Sequence, residues 1–65
     1  MDAKSLTIAR EMLGLKQADL ARELGVTSVT VWRWEHGRKR IPAWVGQSLD
    51  RMTELRVIRE AAKVN

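Results

Sequence analysis

Cysteine, tyrosine and phenylalanine are absent from this sequence of 65 residues, which contains one proline, four glycines and one histidine, His36. Without cysteine the chain forms neither disulfides nor thiolate metal sites, and a single histidine cannot assemble a zinc site by itself. A chain of this length builds one domain that buries only about 60% of its unfolded surface. We therefore expect one domain, residues 1–65, stabilised by tight helix packing or oligomerisation, with no metal and no cofactor.

Long apolar runs and catalytic motifs are missing as well. An amphipathic stretch containing Arg10 and Glu11 follows the first residues, which predicts neither a signal peptide nor a membrane span. There is no glycine-rich phosphate loop, and so small a domain has little room for titratable groups clustered in a pocket. We therefore expect a cytoplasmic, nucleoid-associated protein that is not an enzyme and has no membrane partner and no small-molecule ligand.

The hydrophobic pattern of the chain predicts helices throughout. Four glycines and one proline are the only breakers, of which Gly14, Gly25, Gly37 and Pro42 mark the joints between helices, and β-branched or aromatic residues never alternate as they would in a strand. We expect an all-α, compact bundle of four to five helices, with a helix-turn-helix over about 17–36. The predicted helices cover about 5–13, 17–24, 27–36 and 42–62. The predicted core residues are Leu6, Ala9, Met12, Leu13, Leu20, Ala21, Leu24, Val31, Trp34, Ile41, Val45, Leu49 and Met52.

The third predicted helix has an unusual outer face. Val31 and Trp34 set its core side, so the opposite side carries the residues Ser28, Val29, Trp32, Arg33 and His36. Valine can meet a thymine methyl group and arginine can bind guanine bidentately, which suits a helix in the major groove of DNA. Alternatively, Trp32 packs against Ala43 or Trp44 as a peripheral core residue.

Positive charge follows this helix directly. The run Arg38, Lys39 and Arg40 predicts phosphate contacts at the edge of the groove, although such runs are often only solvated patches. Lys16 and Gln17 begin the second helix, whose free backbone N–H groups and positive dipole end suit another phosphate. The alternative for Gln17 is a solvated residue of the first turn.

The last predicted helix carries more apolar surface than the core needs. After Val45 and Leu49 close the core, a second stripe remains, which consists of Trp44, Leu55, Ile58 and Ala62 with Met52 at its margin. We expect a homodimer through this stripe, with the two helices antiparallel. Alternatively, the helix frays after about Met52.

The segment LKQADLARELGVT at 15–27, followed by Val31, Arg33–Glu35 and Gly37, resembles the helix-turn-helix of the Cro and cI repressor (XRE) family. The similarity is to lambdoid phage repressor DNA-binding domains. It implies DNA base contacts from Gln17, Ser28, Val29 and Arg33, and phosphate contacts from Thr27, His36, Arg38 and Arg40. The exposed positions add Trp32 as a base contact, and Lys16 and Lys39 as phosphate contacts. It also implies an Arg10–Glu35 ion pair, the alternative being two separately solvated charges. Trp32 and the unbroken last helix depart from the family pattern.

These observations predict a sequence-specific regulator of transcription. We expect a homodimeric autorepressor that binds a palindromic operator in double-stranded DNA through the major groove and excludes polymerase. One alternative is an antitoxin-like regulator whose C-terminal helix binds another protein. Another is a helical adaptor that binds proteins and makes no DNA contact.

Overall fold

The computed structural model describes residues 1–62, which fold into four α-helices. They are α1 (Ala3–Met12), α2 (Gln17–Leu24), α3 (Ser28–Glu35) and α4 (Ala43–Ala62). No strand occurs in this part of the chain. The predicted all-α class and the long C-terminal helix are confirmed, and α4 continues to Ala62 instead of fraying after Met52.

Local hydrogen bonds set the helix boundaries. The Asp2 carboxylate accepts from the backbone N–H of Ser5 at 2.7 Å, so α1 begins two residues before the predicted Ser5. Thr27 caps α3, since its Oγ1 accepts from the backbone N–H of Thr30 at 3.2 Å. Gly25 ends α2 with a φ of 72°, a left-handed conformation that only glycine adopts without strain. The turn chemistry visible in the sequence therefore fixes the helix-turn-helix.

The core lies where the four helices meet. Its buried side chains are Leu6, Leu20, Ala21, Val31, Trp34, Val45 and Leu49. Trp44 meets the Trp34 ring edge-on, with centroids 6.3 Å apart. Partly buried side chains pack around this core, namely Ala9, Leu13, Leu15, Leu24, Val26, Ile41 and Met52.

The prediction that Met12 belongs to the core is wrong. Met12 is 75% exposed, whereas Leu13, the next residue, packs against the core. At about 100° per residue, Met12 points about 120° away from Leu6, while Leu13 points almost in the same direction as Leu6. Met12 therefore belongs to the outer edge of α1.

The two halves of α4 have different surroundings. The first half buries Val45 and Leu49, whereas every residue of 53–62 is exposed. Arg56 attaches this distal half to α1, because its Nη1 donates to the carbonyl of Met12 at 2.6 Å. The protein measures 44 × 19 × 17 Å, and the long dimension reflects the projection of α4 from the body. Within 1–62, no helix has the length and apolar character needed to cross a membrane.

Candidate nucleic-acid interface

The outward face of α3 is exposed along its whole length. Ser28, Val29, Trp32 and Arg33 all lie on the solvent side, opposite the buried Val31 and Trp34. Val29 is 54% exposed and Trp32 is 42% exposed. A short, well-anchored helix thus presents two large apolar side chains and a guanidinium to solvent.

Trp32 packs on its own helix. Its ring stacks on His36, one turn later, with centroids 4.1 Å apart and planes inclined by 19°. The Nδ1 atom of His36 lies 2.8 Å from the carbonyl of Trp32, to which it donates as the protonated nitrogen of the ring. Within residues 1–62 no ring pair joins Trp32 to Trp44, which meets Trp34 instead, and the alternative of packing against Ala43 stays a prediction. The stack holds Trp32 in one position while leaving part of its ring exposed.

The basic loop leaves the end of α3 in a fixed direction. Gly37 has a φ of 67°, and the N–H of Arg38 donates to the carbonyl of Arg33 at 2.8 Å. Arg38, Lys39 and Arg40 are all exposed. The loop therefore follows α3 with three exposed cations, of which Lys39 and Arg40 line a groove shared with the start of α1.

An ion pair joins α1 to the end of α3. Arg10 Nε lies 2.7 Å from Glu35 Oε2, and Arg10 Nη2 lies 3.1 Å from Oε1, so the contact is bidentate. Arg10 Nη1 also donates to the carbonyl of Leu15 at 2.9 Å. The ion pair that the resemblance implies is present, and the alternative of two separately solvated charges is wrong. Both side chains are largely buried, with 14% of Arg10 and 4% of Glu35 exposed.

The surroundings of Glu35 keep it ionised. Burial raises the pKa of this carboxylate, but hydrogen bonds from Arg10 and Gln17 outweigh burial and hold the pKa below its ordinary value. The hydrogen bonds to Glu35 likewise raise the pKa of Arg10. The negative charge of Glu35 is thus compensated inside the protein and does not offset the cations of the α3 surface.

Gln17 belongs to this buried network. Its Nε2 donates to Glu35 Oε1 at 3.2 Å, and its side chain is half-buried. The structure therefore places Gln17 apart from the exposed set on α3, and it is not a freely solvated first-turn residue. The sequence gives a weak signal for this contact, since a carboxylate has room for more donors than one arginine supplies.

In two further predicted phosphate ligands, Lys16 and Thr27, a hydrogen-bonding group is already engaged within the protein. The backbone N–H of Lys16 donates to the Asp19 carboxylate at 3.0 Å, so it is not free to bind a phosphate as the sequence suggests. The Lys16 side chain itself is exposed. Thr27 is exposed, but its Oγ1 is already bonded to the backbone and the hydroxyl of Thr30.

The predicted dimerisation residues are exposed except for one. Trp44 is 43% exposed, Leu55 53% and Ile58 59%, and Ala62 is also exposed. Met52 instead packs partly buried against the core. Val57, which is not part of the predicted stripe, is 60% exposed.

The described residues contain no group of three or more His, Cys, Asp or Glu side chains that could hold a metal ion. No curated protein and no solved structure matches the chain.

A family model does match, and it covers most of the chain. The model described as bacterial toxin YdaS matches residues 6–62, from the first core residue to the end of α4. This finding agrees with the resemblance at the level of a small, helical, helix-turn-helix-like family, while membership of the Cro and cI family itself stays a prediction. Because the matched segment includes all four helices, the chain belongs to the bacterial toxin YdaS family.

Proposed function

We propose that this chain is a sequence-specific DNA-binding regulator of transcription, acting as a homodimeric repressor of its own promoter. The observation that carries the proposal is the outward face of α3. That face exposes Val29, Trp32 and Arg33 on a helix whose opposite side is locked into the core. Apolar side chains of this size in water do not stabilise a monomer, whereas they suit contact with base methyl groups and sugars.

Electrostatics support a nucleic-acid partner. The stretch 28–40 has four cationic side chains, Arg33, Arg38, Lys39 and Arg40, and one carboxylate, Glu35. Since Arg10 neutralises Glu35 from within the protein, the field outside α3 is set by the cations. A duplex backbone is the polyanion that such a surface attracts, and its phosphates orient the protein without specifying sequence.

The residues on α3 divide by chemistry into specific and general contacts. Arg33 supplies two parallel donors for the O6 and N7 atoms of a guanine, and Val29 supplies an apolar surface for a thymine methyl. Ser28 hydrogen-bonds to base edges of either strand. Trp32, held by His36, lies against a sugar or a base methyl, while the loop cations bind the flanking phosphates.

A twofold dimer would match a palindromic operator. The exposed stripe on distal α4 gives each chain a surface for a second copy, and the twofold axis would place both α3 helices on one side of the duplex, about 34 Å apart. Occupation of an operator that overlaps the promoter then excludes polymerase. Repression in this form depends only on protein concentration and operator affinity.

A second candidate function is favoured by the family and by the same stripe. The family is described as a toxin, and the exposed apolar residues of distal α4 also suit a different protein as partner. In this antitoxin-like or toxin-regulator form, α3 still binds DNA while α4 binds the partner. The two forms differ in what covers Leu55 and Ile58.

Enrichment from a random duplex library tests the proposed function. Purified protein is expected to enrich an inverted repeat whose half-site centres lie about one helical turn apart, with binding that weakens steeply as salt rises. A protein that binds no duplex at low salt, or binds without enriching any motif, would contradict a sequence-specific regulator. Binding of duplex DNA at low salt also distinguishes this regulator from a helical adaptor, which makes no DNA contact.

A further inference from the structure

His36, the single histidine of the chain, directly follows α3 and is exposed. Its backbone N–H donates to the carbonyl of Trp32 at 3.0 Å, and its Nδ1 atom lies 2.8 Å from the same oxygen. A carbonyl oxygen has two lone pairs and can accept both bonds. Because the ring is also stacked on the Trp32 indole, the imidazole has one orientation at the end of α3.

The bond to the Trp32 carbonyl decides which ring nitrogen carries the proton of the neutral imidazole. A carbonyl oxygen only accepts, so Nδ1 is the donor and Nε2 has no proton. The other neutral tautomer would turn the Nδ1 lone pair towards the carbonyl oxygen and lose this bond. Neutral His36 therefore presents an acceptor at Nε2, which cannot bind a DNA phosphate, since phosphate oxygens are acceptors too.

Protonation of His36 changes the chemistry of Nε2 and leaves the ring in place. In the imidazolium form both nitrogens donate, so Nε2 gains an N–H while Nδ1 keeps its bond to the Trp32 carbonyl. The stack stays favourable as well, because a cation within about 6 Å of an indole face is attracted to it, and the two centroids lie 4.1 Å apart. The α3 surface thus gains one donor and one positive charge without rearrangement.

The charged groups near His36 offer no internal partner for that charge. They are Arg10 on α1, Lys16 before α2, Arg33 and Glu35 on α3, and Arg38, Lys39 and Arg40 in the loop, while the first turn of α4 has none. Glu35 is the one carboxylate of this set, and it is bonded to Arg10. An external anion is therefore the counter-charge that a protonated His36 would take.

The position of His36 on α3 suits the sugar–phosphate backbone at the edge of the groove. The eight residues of α3 make a helix about 12 Å long, which equals the width of the major groove of about 12 Å. In helix-turn-helix docking the N-terminal residues of the recognition helix contact base edges. His36 is at the opposite end, where a side chain reaches a phosphate.

We propose that His36 is a proton-dependent phosphate contact, through which acidification strengthens the binding of duplex DNA. Nε2 of the protonated ring donates to a phosphate oxygen, so each chain takes up at most one proton when it binds. This inference rests on the proposed function, because docking of α3 on DNA is what brings the phosphate to His36. It makes operator occupancy depend on pH as well as on protein concentration.

Duplex affinity as a function of pH tests the proposal. Fluorescence anisotropy at constant ionic strength is measured with the enriched operator and with an unrelated duplex of the same length. An adjacent opposite charge favours the charged form of a titratable group by about one pH unit or more, so affinity for either duplex is expected to rise on the order of tenfold per bound chain from about pH 8 to about pH 5. At the acidic end, the slope of log affinity against log salt is expected to be steeper by about one per bound chain.

His36→Asn is the matched variant. The asparagine amide nitrogen takes about the place of Nδ1 and can donate to the Trp32 carbonyl, but no nitrogen replaces Nε2. Loss of the stack lowers affinity at every pH, so the comparison uses only the change with pH. The variant is expected to lack the tenfold rise and the steeper salt slope, while circular dichroism checks its helices.

Nitrogen NMR of the imidazole in the wild-type protein needs no variant. The neutral ring is expected to carry its proton on Nδ1, and the imidazolium is expected to persist to higher pH when operator is bound. A neutral ring protonated on Nε2, or the same pH dependence of affinity in wild type and His36→Asn, would overturn the proposal. If neither protein binds either duplex at any pH, the proposed function itself fails, and this inference fails with it.

Discussion

The side-chain amide of Gln17 donates to the carboxylate of Glu35 across 3.2 Å, and so ties the start of α2 to the end of α3. Arg10 holds the same carboxylate from α1. Three helices therefore meet at one carboxylate, at the last residue of α3. We infer that this network sets the angle at which α3 is presented, because removal of Glu35 frees the end of α3 from both neighbours.

The first prediction concerns the pH dependence of stability. The folded-state pKa of Glu35 is below its ordinary value of 4.5, so its contribution to stability is fully present above that pH and is lost as pH falls through the folded pKa. Glu35→Gln is expected to lower the free energy of unfolding by about 1.5–3 kcal/mol at neutral pH, the usual contribution of hydrogen bonds to a charged group. Denaturant unfolding between neutral and acidic pH measures both effects.

Glu60→Gln is the control for this experiment. Glu60 pairs with Arg56 on the surface, with about half or more of each side chain exposed, so its loss is expected to cost at most about 0.5 kcal/mol. The difference in stability between wild type and Glu35→Gln should shrink on acidification. A difference that stays constant with pH would contradict the ion pair as a stabilising contact.

The second prediction separates phosphate contacts from base contacts. Arg40→Ala is expected to weaken binding to all duplex sequences alike and to reduce the slope of log affinity against log salt by about one. The physical reason is the loss of one counterion-releasing contact. Fluorescence anisotropy with operator and unrelated duplexes over a salt series measures it. Arg22→Ala, an exposed arginine on α2, is the matched control, and an unchanged slope in Arg40→Ala would remove Arg40 from the interface.

The third prediction concerns Trp32. Because 42% of Trp32 is exposed and it contributes nothing to the buried core, Trp32→Ala is expected to lower duplex affinity without lowering the melting temperature. Subtracting the emission of Trp32→Phe from that of the wild type isolates the Trp32 signal and leaves Trp34 in the core. That signal is expected to change when operator is added. A lower melting temperature with unchanged affinity would instead support a packing role.

The fourth prediction concerns the apolar stripe of α4. The double variant Leu55→Asp/Ile58→Asp is expected to sediment as a single chain and to bind the full operator more weakly than wild type, because exposed carboxylates prevent helix pairing. Circular dichroism checks that the helices remain. A double variant that stays oligomeric and binds operator as tightly as wild type would eliminate this interface.

Much of the fold is predictable from the sequence because the turn signals are local. Gly25 and Gly37 supply positive φ values where α2 and α3 end, and Thr27 supplies the cap of α3. Met12 is misplaced because the end of a short helix has too few turns to fix its inner face to within one residue. The start of α1 is two residues earlier than predicted because the Asp2 carboxylate caps the helix through one local hydrogen bond. Asp2 lies before the first residue of the apolar pattern, so the pattern does not reveal this start.

The candidate interface is predictable in part. The exposed residues of α3 follow from the positions of Val31 and Trp34, which fix the core side. The contact of Gln17 with Glu35 depends on how α2 and α3 cross, which periodicity does not determine. The Trp32–His36 stack has the spacing of neighbouring helix residues, but only the structure shows that the rings are parallel and in contact.

We propose that the outward face of α3 recognises base sequence, and the binding specificity of Arg33→Ala is the sharpest test of that role. Competition binding is measured against operators altered at each base pair in turn. Arg33→Ala is expected to keep its fold, to lose about 1–3 kcal/mol on the operator, and no longer to discriminate at one base pair in each half-site. A variant that loses affinity with the wild-type specificity profile, or loses nothing, would contradict it.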